Sequence, residues 1–254
     1  MLIHPAALSQ TQDVCGSTDL RVPSFHQPVG RVSWSITDTS ADCTATLISP
    51  SCMISAGHCF GALNFIEFNV PSSSSDGTIN HSFPWDQYSV SEVIDYDDNA
   101  RGDRNSGDDW SVFKMKPNEV SGSLPGSVQG FLSVSYDNPF LLQDKRVRVS
   151  GYGNAAAELN GTQQTSTGVY ESDPDFPNLP VTYLDAYITD HNSGSAIVLQ
   201  STNEIIGIIN DSGCDNTLPA QGPRLSSGGT IWGNFKLQAA IQKCLSTENQ
   251  GTSP

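Results

Sequence analysis

At 254 residues the chain is long enough to bury one large core or two smaller ones, and 27 acidic against 12 basic residues give it a formal charge of -15. That charge repels nucleic acid and anionic lipid, so neither is expected as a partner, and no apolar run reaches the roughly 20 residues of a membrane helix. Six cysteines, at positions 15, 43, 52, 59, 214 and 244, form no Cys-x-x-Cys pair, which favours disulfides in an oxidising compartment over zinc. Residues 1–13 lack a charged start followed by a long apolar core. A secreted protein with this sequence would have lost its signal already.

Residues 31–36 alternate Val32, Trp34 and Ile36 with polar positions, the pattern of a half-buried strand. Further short strands are predicted near 43–49, 52–57, 64–70, 88–94 and 110–115, completing a first set of six. Residues 117–130 are rich in Ser, Gly and Pro and read as a connector. A second set follows near 131–136, 146–152, 163–170, 181–187, 195–200 and 204–210. Asn234 can cap a helix in which Leu237, Ala240, Ile241, Cys244 and Leu245 recur at helical spacing, and which would pack on the second set. This divides the chain into an extension (1–28), a first unit (29–116), the connector, a second unit (131–232), the helix (233–246) and a disordered tail (247–254). Two closed antiparallel β-barrels would remove the free edges of so many short strands.

The stretch from Cys43 to His58-Cys59-Phe60 holds two of these strands around a Ser-Pro-Ser turn, so a Cys43–Cys59 disulfide would tie the ends of the hairpin and hold His58 still. A serine is a weak nucleophile until an imidazole takes its proton, and the imidazole needs a carboxylate to fix its tautomer. Asp109 opens the apolar Trp110-Ser111-Val112-Phe113 strand, with Asp108 as its rival, and Ser193 sits in His191-Asn192-Ser193-Gly194-Ser195. The order His, Asp, Ser places the first two groups in the first unit and the serine in the second, the order of the two-barrel proteases.

Taken together, Ser-Ala-Gly-His-Cys, Asp-Trp-Ser-Val-Phe and Asn-Ser-Gly-Ser resemble the three signature motifs of the chymotrypsin-like serine proteases. Gly151-Tyr152-Gly153, Gln163-Gln164-Thr165 and Ile206-Gly207-Ile208 bring the likeness closer to the bacterial branch that includes the glutamyl endopeptidases. The resemblance implies an all-β fold of two six-stranded barrels with a C-terminal helix. It also implies a secreted, monomeric serine endopeptidase acting on protein or peptide substrates without a cofactor. His58 would be the general base, Asp109 its orienting carboxylate and Ser193 the acylated nucleophile, with the backbone N–H groups of His191 and Ser193 as oxyanion hole.

The sequence departs from that family in three places. His191 stands where the family has glycine, which would impair the oxyanion hole if the peptide turned away. Asn192 replaces the aspartate that pairs with a new N-terminus in animal enzymes. Ile209 stands where glutamyl endopeptidases carry a histidine, so cleavage after Glu is not implied. The primary pocket is expected to border Tyr187, Thr189, Asp190, Ile209 and Asn210, with Asp190 suited to a basic residue. A protease-like binding protein and an esterase are the alternative functions. The cluster Asp95, Asp97, Asp98, Asn99, Asp103 and Asn105 has calcium-type donors but lacks the spacing of an EF-hand loop, and no metal site is expected from His4, His26 or His81. For the remaining cysteines, Cys214 with Cys244 would pin the last helix to the second barrel, leaving Cys15 with Cys52; four cysteines allow three pairings.

Overall fold

A computed structural model describes residues 19–98, 107–141, 145–172, 181–184, 186–215 and 224–249. After the two-residue β1 (Val22–Pro23), six strands build the first barrel: β2 (Val29–Ser33), β3 (Cys43–Leu47), β4 (Cys52–Ser55), β5 (Phe65–Glu67), β6 (Gln87–Asp98) and β7 (Asp109–Met115). They pair antiparallel in the order β2-β3-β4-β7-β6-β5, and β5 returns to β2 to close the barrel. Its interior is filled by Val32, Leu47, Met53, Ile66, Phe68 and Phe113, all shielded from solvent. Burying one such side chain contributes roughly 1.5–3 kcal/mol. At the barrel wall Arg31 and Glu67, both wholly buried, pair at 2.7 Å, and Arg31 also donates to the carbonyl of Gly161 in the second half of the molecule.

The predicted first strand is displaced. β2 pairs only as far as Ser33, opposite Phe65, and the chain then turns, so Trp34 and Ile36 stand exposed at the barrel rim. The connector contains an unforeseen short helix, α1 (Pro125–Gln129), started by proline at its first position.

The second sheet contains β8 (Arg146–Gly151), β9 (Gln164–Ser172), β10 (Val181–Leu184), β11 (Ala196–Leu199), β12 (Glu204–Asp215) and β13 (Arg224–Thr230), with β1 added along β9. Pairing between β8 and β9 returns these six strands on themselves, giving a second barrel. Two of its strands differ from expectation. Residues 131–136 make only one bridge, Val134 to Ile205. β13 was hidden by its Ser226-Ser227-Gly228-Gly229 run, which reads as a turn; a Cβ on Gly228 would collide with the Ile208 carbonyl, so the close strand approach requires glycine there.

The last helix, α2 (Phe235–Asn249), is capped as predicted, the Asn234 Oδ1 accepting from the Leu237 amide at 3.0 Å. It runs through residues 247–249, beyond the end that the sequence pattern predicts. It is fastened to the first barrel, not the second: Cys244 is bonded to Cys52 of β4, and Glu248 accepts from Ser49 and Ser51. The predicted Cys214–Cys244 and Cys15–Cys52 pairings are therefore incorrect, while Cys43–Cys59 is present. Cys15 and the Cys214 side chain lie outside the described residues. The reason for the different fastening is the core between the barrels. Leu237, Ala240, Ile241 and Cys244 pack there against Ile54, Trp110 and Val112 of the first barrel and Ala196, Ile205 and Ile208 of the second.

Candidate active site

The chain leaves β4 through Ala56 and Gly57 and enters a 3-10 turn over His58–Ala62. Gly57 lies against the Asp97 carbonyl and the Trp110 amide so closely that a Cβ would collide with both. The Cys43–Cys59 bond ties the turn to β3. His58 is thus held over the start of β7, where Asp109 is 4 % exposed. One carboxylate oxygen of Asp109 accepts from the His58 backbone amide at 2.8 Å and the other lies 2.8 Å from His58 Nδ1. With Nδ1–H donating to the carboxylate, Nε2 carries the free lone pair. The hydrogen bond to Asp109 raises the imidazole pKa, assisted by the charges of Asp109 and Asp211 and opposed by burial. Asp108 instead approaches the Asn234 side-chain amide of the last helix, at 3.3 Å.

Ser193 is placed by a turn bolted to the first barrel. Within it the Asn192 amide donates to the Thr189 carbonyl and the Ser195 amide to the Asn192 carbonyl. Thr44 of β3 makes the cross-barrel contacts: its amide donates to the Ser193 carbonyl at 2.8 Å, its hydroxyl donates to the His191 carbonyl, and its Oγ1 accepts from the Tyr152 amide. Gly194 has φ 88°, and a Cβ there would strike Ser55 Oγ and the Thr44 carbonyl, so only glycine fits beside the serine. His191, with φ 72°, takes a conformation that glycine adopts freely. Among the described residues, nothing accepts from the amides of His191 or Ser193.

His58 and Ser193 line one cleft of about 390 Å3 together with Asp42, Asp190, His191, Asn210 and Asp211. Of the five predicted pocket residues, Asp190 and Asn210 line this cleft. Thr189 is buried, its hydroxyl donating to the Asn154 carbonyl, and Ile209 is wholly buried in the second barrel's core. The Tyr187 amide donates to Ser166 Oγ, and its side chain does not line the cleft. Asp42 and Asp211 were missed, since isolated acids in turn-rich sequence carry no signal. Burial pushes the Asp42 carboxyl up, against the pull of the hydrogen bond it accepts from the Trp34 amide.

The chain before β1 also reaches this region. Arg21, 8 % exposed, donates to Thr189 Oγ1 at 2.5 Å and to the Asn154 carbonyl at 2.7 Å, and Asp19 pairs with it. It braces the loop before Ser193 from a segment that the sequence had marked only as an extension. Cys43, His58 and Cys59 crowd together, but the two sulfurs are bonded to each other and are not thiolate ligands. Of the proposed calcium loop, Asn99, Asp103 and Asn105 lie outside the described residues, and Asp97 pairs with Lys236 at 3.1 Å.

Two antiparallel barrels packed on a shared core, with an acid–imidazole pair and a serine across the cleft, define a chymotrypsin-like protein. The trypsin family profile matches residues 24–221, and the chain belongs to this family of serine peptidases. No curated protein matches the chain at significance. Among solved structures, a Glu endopeptidase in complex with MPD is similar at 16% identity, with TM-score 0.60 and coverage of 89% of this chain and 97% of its own. The protease Anisep from Arthrobacter nicotinovorans is similar at 15% identity and TM-score 0.57, covering 84% of this chain and 92% of its own. A thermostable serine protease, AL20, from an extremophilic microorganism aligns at 13% identity and TM-score 0.58, over 86% of this chain and 94% of its own. At these identities the likeness establishes the shared fold.

Proposed function

We propose that this chain is a secreted serine endopeptidase that works through an acyl-enzyme. The observation that carries the reading is the buried Asp109, bonded to His58 at both the backbone amide and Nδ1, facing a cleft that also contains Ser193. Ser193 Oγ attacks the peptide carbonyl while His58 Nε2 takes its proton; the imidazolium so formed is stabilised by Asp109. The tetrahedral intermediate collapses when His58 returns that proton to the departing amine, leaving Ser193 acylated. Water, deprotonated by His58, then releases the acid and restores the serine.

The oxyanion donors are the backbone N–H groups of His191 and Ser193. Their lack of protein acceptors among the described residues supports this role, because an oxyanion hole needs donors that are not already committed. The φ of 72° at His191 supports it too, since the imidazole has been accommodated without leaving a glycine-type backbone conformation. Cleft charge points to substrate class. Asp42, Asp190 and Asp211 line the cleft and no Lys or Arg does among the described residues, so cationic side chains near the scissile bond are favoured over acidic ones.

A fluorophosphonate probe tests the chemistry: labelling of the mature protein that disappears in Ser193→Ala is expected, and a folded protein that never labels refutes the mechanism. A peptide-library digest then reads specificity. Substrates with Lys or Arg beside the cleaved bond should be enriched, and Asp211→Asn should lower that preference by about two- to five-fold. Enrichment of Glu at the cleavage site would overturn the charge argument.

A further inference from the structure

A second cavity, of about 560 Å3, opens between the two barrels and shares no lining residue with the catalytic cleft. Its walls come from the chain before β2 (Phe25, His26), from α1 and the residues just after it (Gln129, Phe131) and from the second barrel (Arg148, Asn203). The size is that of an ordinary small-ligand site. We propose that this cavity binds a ligand that joins one carboxylate to an apolar or aromatic body, with Arg148 as the anion receptor.

The charge pattern is unlike the rest of the protein. In a chain of charge -15 no acidic side chain lines this cavity among the described residues, and Arg148 reaches it half-buried. The one side-chain hydrogen bond of Arg148 among the described residues runs from Nη2 to Asn203 Oδ1, at 2.9 Å, and the guanidinium has no carboxylate partner there. A half-buried guanidinium without a counter-charge is costly, and burial lowers its pKa. The remaining donors of its planar fork can hold a carboxylate in two parallel hydrogen bonds. Asn203 fixes the guanidinium from a tight turn between β11 and β12, where it holds φ 59°, a conformation asparagine tolerates well.

A monoanion matches this site better than a phosphate. Arg148 is the only Lys or Arg that lines the cavity among the described residues, and burial and the Arg148 charge hold the His26 pKa below its ordinary value. A phosphate dianion would keep an uncompensated charge inside an acidic protein. Phe25 and Phe131, 84 % and 49 % exposed, supply the apolar wall, and large exposed aromatic side chains gain most from covering by a second apolar group. The same chemistry can come from a free acyl amino acid or from the C-terminus of a peptide. Ala196 and Val198 of β11 form the floor, three and five residues past Ser193, so an occupant would sit behind the strand that follows the nucleophile.

Calorimetry on the Ser193→Ala protein tests the site with N-acetyl-phenylalanine, its carboxamide, and an acetylated tripeptide ending in phenylalanine. Expected are saturable binding of the acid at millimolar or lower concentration and at least tenfold weaker binding of the carboxamide. Arg148→Met, which keeps the apolar stem, should abolish the difference between acid and amide with no change in melting temperature. Tighter binding of the tripeptide than of the amino acid would assign the source as a peptide C-terminus, and the reverse a free acid. No saturable binding, equal binding of acid and amide, or unchanged binding in Arg148→Met overturns the proposal. Because the variant lacks the serine, the result stands apart from whether Ser193 is the nucleophile.

Discussion

The two described disulfides close loops of very different size, and this makes an unequal prediction for their removal. Cys43 and Cys59 are separated by 16 positions, Cys52 and Cys244 by 192. The loop-closure entropy withdrawn from the unfolded chain grows with the logarithm of that separation, giving about 3 kcal/mol for the short loop and about 5 kcal/mol for the long one at 25 °C. All four cysteines are nearly or wholly buried, so the packing lost on replacement by alanine is similar and largely cancels in the comparison. Paired replacement Cys52→Ala with Cys244→Ala should therefore cost about 2 kcal/mol more than Cys43→Ala with Cys59→Ala. Urea unfolding in a Ser193→Ala background, which prevents self-digestion, measures both. Activity should rank the other way in the active background, because only the short loop holds the turn that bears His58. A short-loop variant that loses more stability than the long-loop one would show that native packing, not chain entropy, governs the contribution of these bonds.

Asp109→Asn should lower kcat on the order of 10⁴-fold, because the imidazole loses the partner that sets its tautomer. Residual activity should have its acid limb at lower pH, since the hydrogen bond that raises the His58 pKa is gone; an unmoved limb would assign the titration to another group. The raised folded-state pKa also stabilises the native protein, fully below an unfolded value of about 6.5 and progressively less as pH rises through the folded value. Unfolding experiments should accordingly show a larger deficit for Asp109→Asn at pH 5.5 than at pH 9. His191→Gly relieves a left-handed residue worth about 1–2 kcal/mol against a glycine entropy cost of about 0.5–1 kcal/mol, so stability should be equal or slightly higher. Its kcat should stay within about threefold of the parent, because the backbone donor is retained, whereas a loss on the order of 100-fold would assign the work to the imidazole. Arg31→Met should destabilise by about 3–5 kcal/mol by removing the guanidinium that pairs with the buried Glu67, which would keep only its contacts with His81 and Ser82, and adding Glu67→Gln should recover part of that loss in the same urea assay.

Much of the framework was legible from local pattern. Short apolar runs between turn clusters mark most of the strands, the capped periodicity after Asn234 marks the last helix, and the ordered His, Asp and Ser motifs locate His58 and Ser193 at the cleft and Asp109 behind the imidazole. These features depend on residues a few positions apart, which is the distance over which period and capping act. The misplaced features depend on what lies across the fold. Trp34 and Ile36 alternate like a strand but have no partner beyond the rim, while the glycine-rich β13 is a strand because Ile208 lies close against it. The pairing of Cys244 with Cys52 follows from where α2 settles between two barrels, and spacing alone leaves that open.

The sequence by itself determined the strand-rich architecture, the hairpin that carries His58 and the motifs that contain His58, Asp109 and Ser193, because each is written in contiguous residues. Only the tertiary structure decided how the second half is held to the first: Thr44 bolting the serine loop to β3, Arg21 bracing it from the N-terminal side, and Asp42 from the loop before β3 and Asp211 from β12 arriving together at the cleft rim. It also decided the backbone at His191, whose left-handed φ is a property of the turn locked between Thr44 and Ile209 and not of histidine. Contacts between residues more than a hundred positions apart have no local period or spacing, so only packing discloses them.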